Sequence, residues 1–336
     1  MKKAPVIVII GDGSVGVIVA AILQKSGYDI MMIAKNDARA KHLSEHGIEI
    51  TGVSGHITAR IPALGDITQL KRRPDYIFIT TKAPDMPAVA QKIQPILPDE
   101  CKVVSFQNGI VEEKLAKIVG KDRTIGCVVG WGATRHPGGV FEMTSKGEFV
   151  IGYLHKAADK QLEVLAEILS HILPVETSDS ILNHLYSKLI INACITTVGA
   201  ISGLLLGQML KKKIYRSLFI AIIREAIEVA DAMKISVPKY AGKLDYYSLL
   251  HWSSARQNLF LMAFGFKYRR LKSSSLQSLE RGQKTEVPYF SGYISEKAKE
   301  CSIHSPVNDL CTLMVKEIED GKRKISTENI KEFILS

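Results

Sequence analysis

The stretch VIVIIGDGSVGVIVAAILQKSG (Val6–Gly27) carries the clearest structural signal in this 336-residue chain. It closely follows Met1-Lys2-Lys3, and a basic start before an apolar run is also how a secretion signal begins. Such a signal needs an unbroken apolar core of about 7–15 residues before its cleavage site. Here three glycines and Asp12 interrupt the run near its middle. The interruption favours a turn over a translocation core.

The interrupting segment, GDGSVG (Gly11–Gly16), has the G-x-G-x-x-G spacing of a dinucleotide-binding turn. The β-branched run before it predicts a buried strand, and the apolar spacing over 14–26 predicts a helix. In such a turn the first glycine makes the bend, the second lets a pyrophosphate approach, and the third packs the helix on the strand. Free N–H groups at the start of the helix then face the phosphates. The predicted cofactor-binding residues of the turn are Gly11, Gly13, Ser14, Val15 and Gly16.

The rest of the first half alternates apolar strands with helices. Strands are predicted at 29–34, 76–80 and 103–106, with a helix over 86–97 between the last two. This alternation is typical of an α/β fold with a doubly wound parallel sheet of the Rossmann type. Three later strands, 124–131, 139–143 and 148–153, are predicted to be antiparallel, with His136–Gly139 as the turn between the first two.

Beyond residue 178 the pattern is helical almost to the end of the chain. Helices are predicted at about 181–209, 213–234, 240–264, 274–300 and 306–320. We therefore predict two domains, an N-terminal Rossmann domain over 1–176 and an all-helical C-terminal domain over 177–336.

Composition and charge narrow the class of protein. Hydrophobic residues make up 46% and charged residues 23%, as in an ordinary soluble globular protein. The net charge of +10 suggests an anionic partner, which a phosphorylated cofactor or a carboxylate substrate would satisfy. The short basic runs Lys211–Lys213 and Lys267–Arg270 carry no nucleic-acid-reading motif and are interpreted as solvated faces.

Five dispersed cysteines without a Cys-x-x-Cys pair argue against a zinc ribbon or disulfide framework and favour a reducing cytoplasm. The spacing of His, Cys, Asp and Glu predicts no metal site.

The uncharged run Leu189–Leu210 is long enough to span a bilayer. Polar residues dilute it, and a helix buried inside a domain has the same hydropathy. We favour the buried helix and predict no membrane partner.

The residue after the second predicted strand bears on the choice of cofactor. NAD sites usually place an acidic residue there, which accepts from the ribose 2′-OH. This chain has Lys35, whose cation suits the 2′-phosphate of NADPH. Asp37 keeps NAD open as an alternative, and Lys35 could also be an ordinary exposed lysine at a helix start.

Three further stretches stand out: FITTKAPDM with Lys82, VVSFQNGI with Asn108, and LYSKLIINACITT with Lys188 and Asn192 on one face of a helix. Near the end, LKSSSLQSLERGQKTEVPYFSGYISEKA offers Ser274 and Glu286. Together with the glycine turn, this set resembles the ketopantoate reductase (2-dehydropantoate 2-reductase) family over nearly the whole chain. Taken singly, Lys188 could cap an apolar helix and Glu286 could belong to an exposed charged run.

The resemblance implies a Rossmann domain, a helical domain, and hydride transfer from NADPH to the ketone of a small 2-oxo acid in pantothenate biosynthesis. It implies catalytic roles for Lys188, the general acid, and for Glu286, which orients the substrate hydroxyl and Lys188. Asn192 and Ser274 would bind the substrate. Lys82 and Asn108 would lie where the nicotinamide ribose and the substrate meet. A homodimer through the helical domain is a further possibility.

Four positions depart from the family pattern and leave the substrate open. Thr196 and Ser278 stand where an asparagine and an aspartate are usual, and Pro288 and Ser291 where an aspartate and an asparagine are usual. A site with fewer polar partners should hold a hydroxylated substrate less well. The alternatives are a reductase of another 2-oxo acid or an imine, and an NADPH-binding sensor without turnover.

Overall fold

The structure, a computed structural model, describes residues 5–335 and divides into two compact units. The first unit ends at Leu182 and the second begins at Asn183. The predicted boundary at 176/177 lies inside a short strand, Val175–Thr177, that belongs to the sheet of the first unit.

The strands are β1 Val6–Ile10, β2 Asp29–Ile33, β3 Ile48–Gly52, β4 Ile57–Ala59, β5 Ala63–Leu64, β6 Tyr76–Ile79, β7 Lys102–Ser105, β8 Thr124–Val129, β9 Ala133–Arg135, β10 Val140–Met143, β11 Phe149–Tyr153 and β12 Val175–Thr177. The helices of the first unit are α1 Ser14–Lys25, α2 Asp37–Lys41, α3 Met86–Ile93, α4 Glu112–Val119 and α5 Lys160–Ser170. Those that follow are α6 Ile181–Asn192, α7 Val198–Ser202, α8 Leu206–Lys211, α9 Lys213–Ala232, α10 Tyr246–His251, α11 Ser254–Lys267, α12 Ser274–Glu280, α13 Ser291–Glu300, α14 Pro306–Glu319 and α15 Glu332–Leu335.

The first unit is built on an eight-stranded sheet in the order β12-β11-β8-β7-β6-β1-β2-β5. Neighbouring strands run parallel except β8 and β11. β1, β6 and β7 are buried throughout, because helices cover both faces of a doubly wound sheet. The predicted α/β fold is confirmed. Chain order reverses between β1 and β6, and ligands bind at the carboxyl ends of strands at such a point.

A second sheet, in the order β4-β3-β10-β9, corrects the predicted hairpin. The turn at 136–139 joins β9 to β10 in this smaller sheet, whereas β8 stays in the large sheet and pairs with β11. The chain leaves the large sheet at Gly130, where a Cβ would lie 2.7 Å from the Glu148 carbonyl oxygen. Only a glycine fits there, so the strand predicted over 124–131 ends at Val129 as β8, and β9 begins separately at Ala133.

The predicted helices of the second unit are broken at three places. Gly203, at φ +74°, ends α7, so the region 181–209 is not one helix. The prediction over 240–264 becomes α10 and α11, and Ser253 caps α11 by accepting from the Arg256 N–H. The prediction over 274–300 becomes α12 and α13, separated by a loop with a 3₁₀ turn at Val287–Tyr289. Composition alone does not reveal these local breaks.

The uncharged run that suggested a membrane span is not a single helix. The continuous helical stretch long enough to cross a bilayer is Ile181–Ser202, with 22 residues, and 89% of its most apolar window is buried inside the protein. This burial agrees with the interpretation of a core helix.

Candidate active site

The three glycines of the turn have different steric surroundings. Gly11 has φ +117°, and a Cβ on it would lie 2.8 Å from the Thr81 nitrogen. A Cβ on Gly16 would lie 2.3 Å from the Gly11 carbonyl oxygen and 2.3 Å from the Thr80 hydroxyl oxygen. At Gly13 the nearest heavy atom, the Thr80 carbonyl oxygen, is 4.0 Å away. Gly11 and Gly16 are therefore required by packing, whereas Gly13 leaves open space for a ligand.

The start of α1 is suited to an anion. Its N-cap residue is Gly13, which has no side chain to accept a hydrogen bond from the first N–H groups of the helix. The N–H groups of Ser14, Val15 and Gly16 therefore have no partner within the helix, and the positive end of the helix dipole lies beside the open space at Gly13. A pyrophosphate fits this arrangement. The five residues predicted from the glycine spacing thus lie together after β1, with Gly11 and Gly16 buried and Gly13 exposed.

Lys82 and Asn108, both half-buried, follow the adjacent strands β6 and β7. The buried Gln107 side chain ties the two loops together, since its Nε2 donates to the Thr81 and Lys82 carbonyl oxygens at 3.0 Å each. Sequence reasoning missed Gln107, although its place directly before Asn108 after a buried strand was visible.

Glu112 lies behind this loop, at the start of α4, and is completely buried. Its Oε2 accepts from the Val111 N–H at 3.0 Å, and Oε1 has no hydrogen-bond partner among the described residues. Burial raises the pKa of Glu112 to about 7, against the opposing effect of hydrogen bonds from the Ser105 hydroxyl and the backbone. The carboxyl group thus connects the end of β7 to α4.

Lys35 follows β2 at the same edge of the sheet and is exposed. Next to it, the Asn36 side chain caps α2 by accepting from the Arg39 N–H at 2.9 Å. The Arg39 Nε then donates to Oδ2 of Asp12, in the glycine turn, at 2.7 Å. This ion pair joins the start of α2 to the glycine turn, and sequence reasoning missed it.

In the second unit, Lys188 and Asn192 lie on consecutive turns of α6, and both are half-buried. The Nδ2 of Asn192 is buried and has no hydrogen-bond partner within the described part of the chain. A π-helix, Ala193–Thr197, follows directly, and π-bulges are frequent at functional sites. The Thr196 hydroxyl donates back to the Asn192 carbonyl oxygen at 2.5 Å.

Ser273 joins the π-helix to α12. Its hydroxyl donates to the Thr196 carbonyl oxygen at 2.7 Å and accepts from the Leu276 N–H at 3.1 Å. This bond places Ser274, which is exposed, at the start of a helix docked beside the turn that follows Asn192. The Ser278 hydroxyl donates back to the Ser274 carbonyl oxygen at 3.0 Å.

Glu286 is half-buried at the start of the 3₁₀ turn Val287–Tyr289, and its carbonyl oxygen accepts from the Tyr289 N–H at 2.9 Å. Its position within a packed turn separates it from the exposed run that precedes it. The following segment is tied to the π-helix, because the buried hydroxyls of Ser291 and Thr197 lie 3.1 Å apart. Among the residues that the structure describes, no group of three or more His, Cys, Asp or Glu could hold a metal ion.

Comparison with known proteins identifies the family of this chain. Residues 7–156 match the protein family described as "Ketopantoate reductase PanE/ApbA", and residues 180–319 match "Ketopantoate reductase PanE/ApbA C terminal". The chain belongs to the ketopantoate reductase family. As a member it is an oxidoreductase that uses a nicotinamide cofactor and acts on a small keto acid.

Curated relatives of the ketopantoate reductase family span nearly the whole chain. The 2-dehydropantoate 2-reductase of Pyrococcus abyssi is 26% identical over 328 residues, covering 94% of this chain and 99% of that protein. That of Archaeoglobus fulgidus is 28% identical over 318 residues, covering 93% and 97%.

Solved structures show the same fold. The PanE/ApbA family ketopantoate reductase of Ralstonia eutropha JMP134 has a TM-score of 0.81 at 23% identity, covering 95% of this chain and 100% of that one. D-mandelate dehydrogenase, in its ternary structure with NADH and anilino(oxo)acetate, has a TM-score of 0.79 at 22% identity, covering 94% and 98%.

Proposed function

We propose that the protein reduces 2-dehydropantoate to pantoate, a step of pantothenate biosynthesis, with NADPH as the reductant. The observation that carries the proposal is the pair on α6, in which Asn192 follows Lys188 by one turn and presents a buried Nδ2 without a partner in residues 5–335. An unsatisfied buried donor costs about 1–3 kcal/mol, which a substrate oxygen would recover. The curated relatives named 2-dehydropantoate 2-reductase support the choice of substrate.

When bound, NADPH supplies a hydride for the ketone carbon. Lys188 polarises the ketone through its ammonium group and gives a proton to the oxygen as negative charge develops there. Asn192 donates a hydrogen bond from Nδ2 to the same oxygen or to a neighbouring hydroxyl. Glu286 orients the substrate hydroxyl and Lys188, and Ser274 receives the substrate carboxylate.

The first unit binds the cofactor. The open space at Gly13 and the unpaired N–H groups of α1 receive the pyrophosphate, while Lys82 and Asn108 lie where the nicotinamide ribose and substrate meet. Gln107 holds these two loops at a fixed spacing. Basic residues around the end of β2 support NADPH, because a bare ribose diol would need an acceptor there.

The test is Lys188→Ala with Lys211→Ala as its matched control, since Lys211 is an exposed lysine at the end of α8. Loss of a general acid should lower turnover of 2-dehydropantoate by roughly 10²–10⁴-fold. The affinity for NADPH, measured by titration without substrate, should stay close to that of the wild type, and the control should keep full turnover. Unchanged turnover in Lys188→Ala would remove this residue from the mechanism.

A second candidate is reduction of a 2-oxo acid whose tail carries no hydroxyl. At the four departing positions, the hydroxyl protons of Thr196 and Ser278 go to the backbone, Ser291 pairs with another buried hydroxyl, and Pro288 has no polar side chain. A hydroxylated tail therefore finds only weak acceptors there. The related D-mandelate dehydrogenase was solved with anilino(oxo)acetate, a 2-oxo acid with an aromatic tail.

Two substrates separate these candidates, because 3,3-dimethyl-2-oxobutanoate differs from 2-dehydropantoate only in lacking the 4-hydroxyl group. A site that reads this hydroxyl should favour 2-dehydropantoate in kcat/KM by roughly tenfold or more. An equal or reversed preference supports the second candidate. A non-catalytic NADPH sensor, or an imine reductase, would bind NADPH and oxidise it with neither acid.

A further inference from the structure

The helix α11 carries an apolar stripe on the surface of the second unit. Leu259, Met262 and Phe266 lie on one face of this helix at spacings of three and four, and they are 70%, 48% and 71% exposed. Side chains that protrude this far form a ridge rather than line a groove. Tyr268 and Leu271 continue the exposed apolar surface past the end of the helix. Large apolar side chains that lie together in water mark an interaction site.

Two basic runs that are distant in sequence border this helix. A Cβ on Gly265 of α11 would lie 2.6 Å from the Cβ of Leu210 in α8, so the two helices pack closely there. This packing sets the exposed run Lys211–Lys213, which follows Leu210, alongside α11. The exposed run Lys267–Arg270 begins at the last residue of the same helix. The two runs that the sequence analysis interpreted as solvated faces thus belong to the surroundings of one helix.

The cations and the apolar side chains form a single surface. The guanidinium carbon of Arg269 lies 5.2 Å from the centre of the Phe266 ring. Near the start of the helix, the guanidinium carbon of Arg256 lies 4.1 Å from the centre of the Trp252 ring. Basic side chains of this length can lie along apolar groups and still place their charge beyond them. A partner that meets the apolar stripe therefore also meets the positive charge.

The chain provides little negative charge to balance this surface. No Asp or Glu occurs over 180–224, which includes α8 and the first basic run, or over 246–279, which includes α11 and the second. Lys272 is paired with Glu280 at 2.6 Å, at the far end of the second segment. The surface around α11 therefore stays positive and favours an anionic partner.

An anionic lipid bilayer complements both properties. Its headgroups attract Lys and Arg, and the layer beneath them takes in protruding Leu, Phe and Trp side chains to a depth of about 5–10 Å. Nucleic acid offers the charge without the apolar layer. A partner helix would dock in a groove, whereas α11 presents a ridge. A second copy of the chain would bring like charges together across the interface.

We propose that α11, with the basic runs Lys211–Lys213 and Lys267–Arg270, docks the protein on the surface of an anionic membrane. The proposal goes beyond the proposed function and does not rest on it, because none of these residues is assigned to the reduction. It requires no spanning helix, and Ile181–Ser202 stays buried. It departs from the expectation of no membrane partner, which considered only a helix that crosses the bilayer.

The test is sedimentation of the full chain with vesicles of phosphatidylglycerol and phosphatidylcholine, and with vesicles of phosphatidylcholine alone. The wild-type chain should bind only the anionic vesicles, and salt should weaken this binding because it screens the charges. The double variant Leu259→Ser/Phe266→Ser should bind more weakly by roughly tenfold or more, since two large side chains no longer enter the apolar layer. Lys267→Glu/Arg270→Glu should lose more than tenfold, because each basic residue near an anionic surface contributes roughly fivefold.

Matched controls lie elsewhere in the second unit. Leu313→Ser removes another exposed apolar side chain, which is 51% exposed on α14. Lys299→Glu/Lys331→Glu makes the same change in net charge at two exposed lysines outside this surface. Both controls should bind anionic vesicles nearly as the wild type does. All of the substituted side chains are exposed, so circular dichroism should show an unchanged fold in every variant.

Three results would overturn the proposal. The wild-type chain could fail to bind the anionic vesicles or bind both kinds equally. The two charge variants could lose binding equally, or the double serine variant could lose none, and net charge alone would then explain the binding. Light scattering without vesicles provides the third result: a dimer that Leu259→Ser/Phe266→Ser converts to a monomer would assign this surface to a second copy of the chain.

Discussion

The buried carboxyl group of Glu112 predicts that the first unit loses stability as the pH rises. Burial raises its pKa from 4.5 to about 7 in the folded chain. The folded state therefore holds this proton more tightly than the unfolded state does. The stabilisation is complete below the unfolded pKa and is lost as the pH rises through 7. Between pH 5.5 and 8.5 the change in unfolding free energy from this group is about 2 kcal/mol.

The matching perturbation is Glu112→Gln, which keeps the size of the side chain and removes its titration. Glu113→Gln is the control, because its neighbouring carboxyl is half-buried rather than enclosed. The chain has two tryptophans, Trp131 in the first unit and Trp252 in the second. In a Trp252→Phe background, fluorescence during urea unfolding reports on the first unit alone.

The expected result is a difference between variants, since every other titratable group contributes equally to each. From pH 5.5 to 8.5 the parent and Glu113→Gln should lose about 2 kcal/mol more than Glu112→Gln does. The same loss in all three proteins would contradict this prediction, because the Glu112 carboxyl would then titrate as it does in the unfolded chain.

Two other predictions follow from local geometry. Gly16→Ala should lower the melting temperature of the first unit, because the new Cβ would meet the Gly11 carbonyl oxygen. Gly13→Ala should keep the melting temperature, because a Cβ fits there, and should weaken NADPH binding in a titration. Glu225→Ala should destabilise the second unit by about 3 kcal/mol in urea unfolding, because Glu225 accepts two bonds from Asn308 at the start of α14. Glu225→Gln should cost less, and equal losses would contradict this account.

The fold of the first unit could be predicted because its signals are local. Glycine spacing reports a steric requirement, and the contacts that a Cβ would make at Gly11 and Gly16 show the requirement directly. Apolar runs of four to six residues likewise report strands covered on both faces. The small second sheet was only partly visible, because β3 and β4 are short and β10, which pairs with β3, comes more than eighty residues after it.

The side chains that surround the end of β2 were harder to predict. Lys35 was singled out because it follows β2 in sequence, but the side chains that line the open cleft beside α2 come from α2 and from a distant hairpin. Arg135 reaches this place only through the pairing of β10 with β3. A single sequence contains no sign of that pairing, so proximity along the chain could not show that Arg135 lies beside α2.

The second unit shows why residue identity alone does not define a substrate site. Lys188 and Asn192 were singled out through the family resemblance and lie on one face of α6, but the π-helix that follows them changes the direction of every later side chain on that face. One hydroxyl, that of Ser273, both caps α12 and holds the Thr196 carbonyl oxygen. A related chain could therefore keep the lysine and the asparagine and, by losing this one bond, present Ser274 differently. Under the proposed function, Lys188 and Asn192 then account for the reduction, while the hydroxyl network behind them decides which keto acid fits.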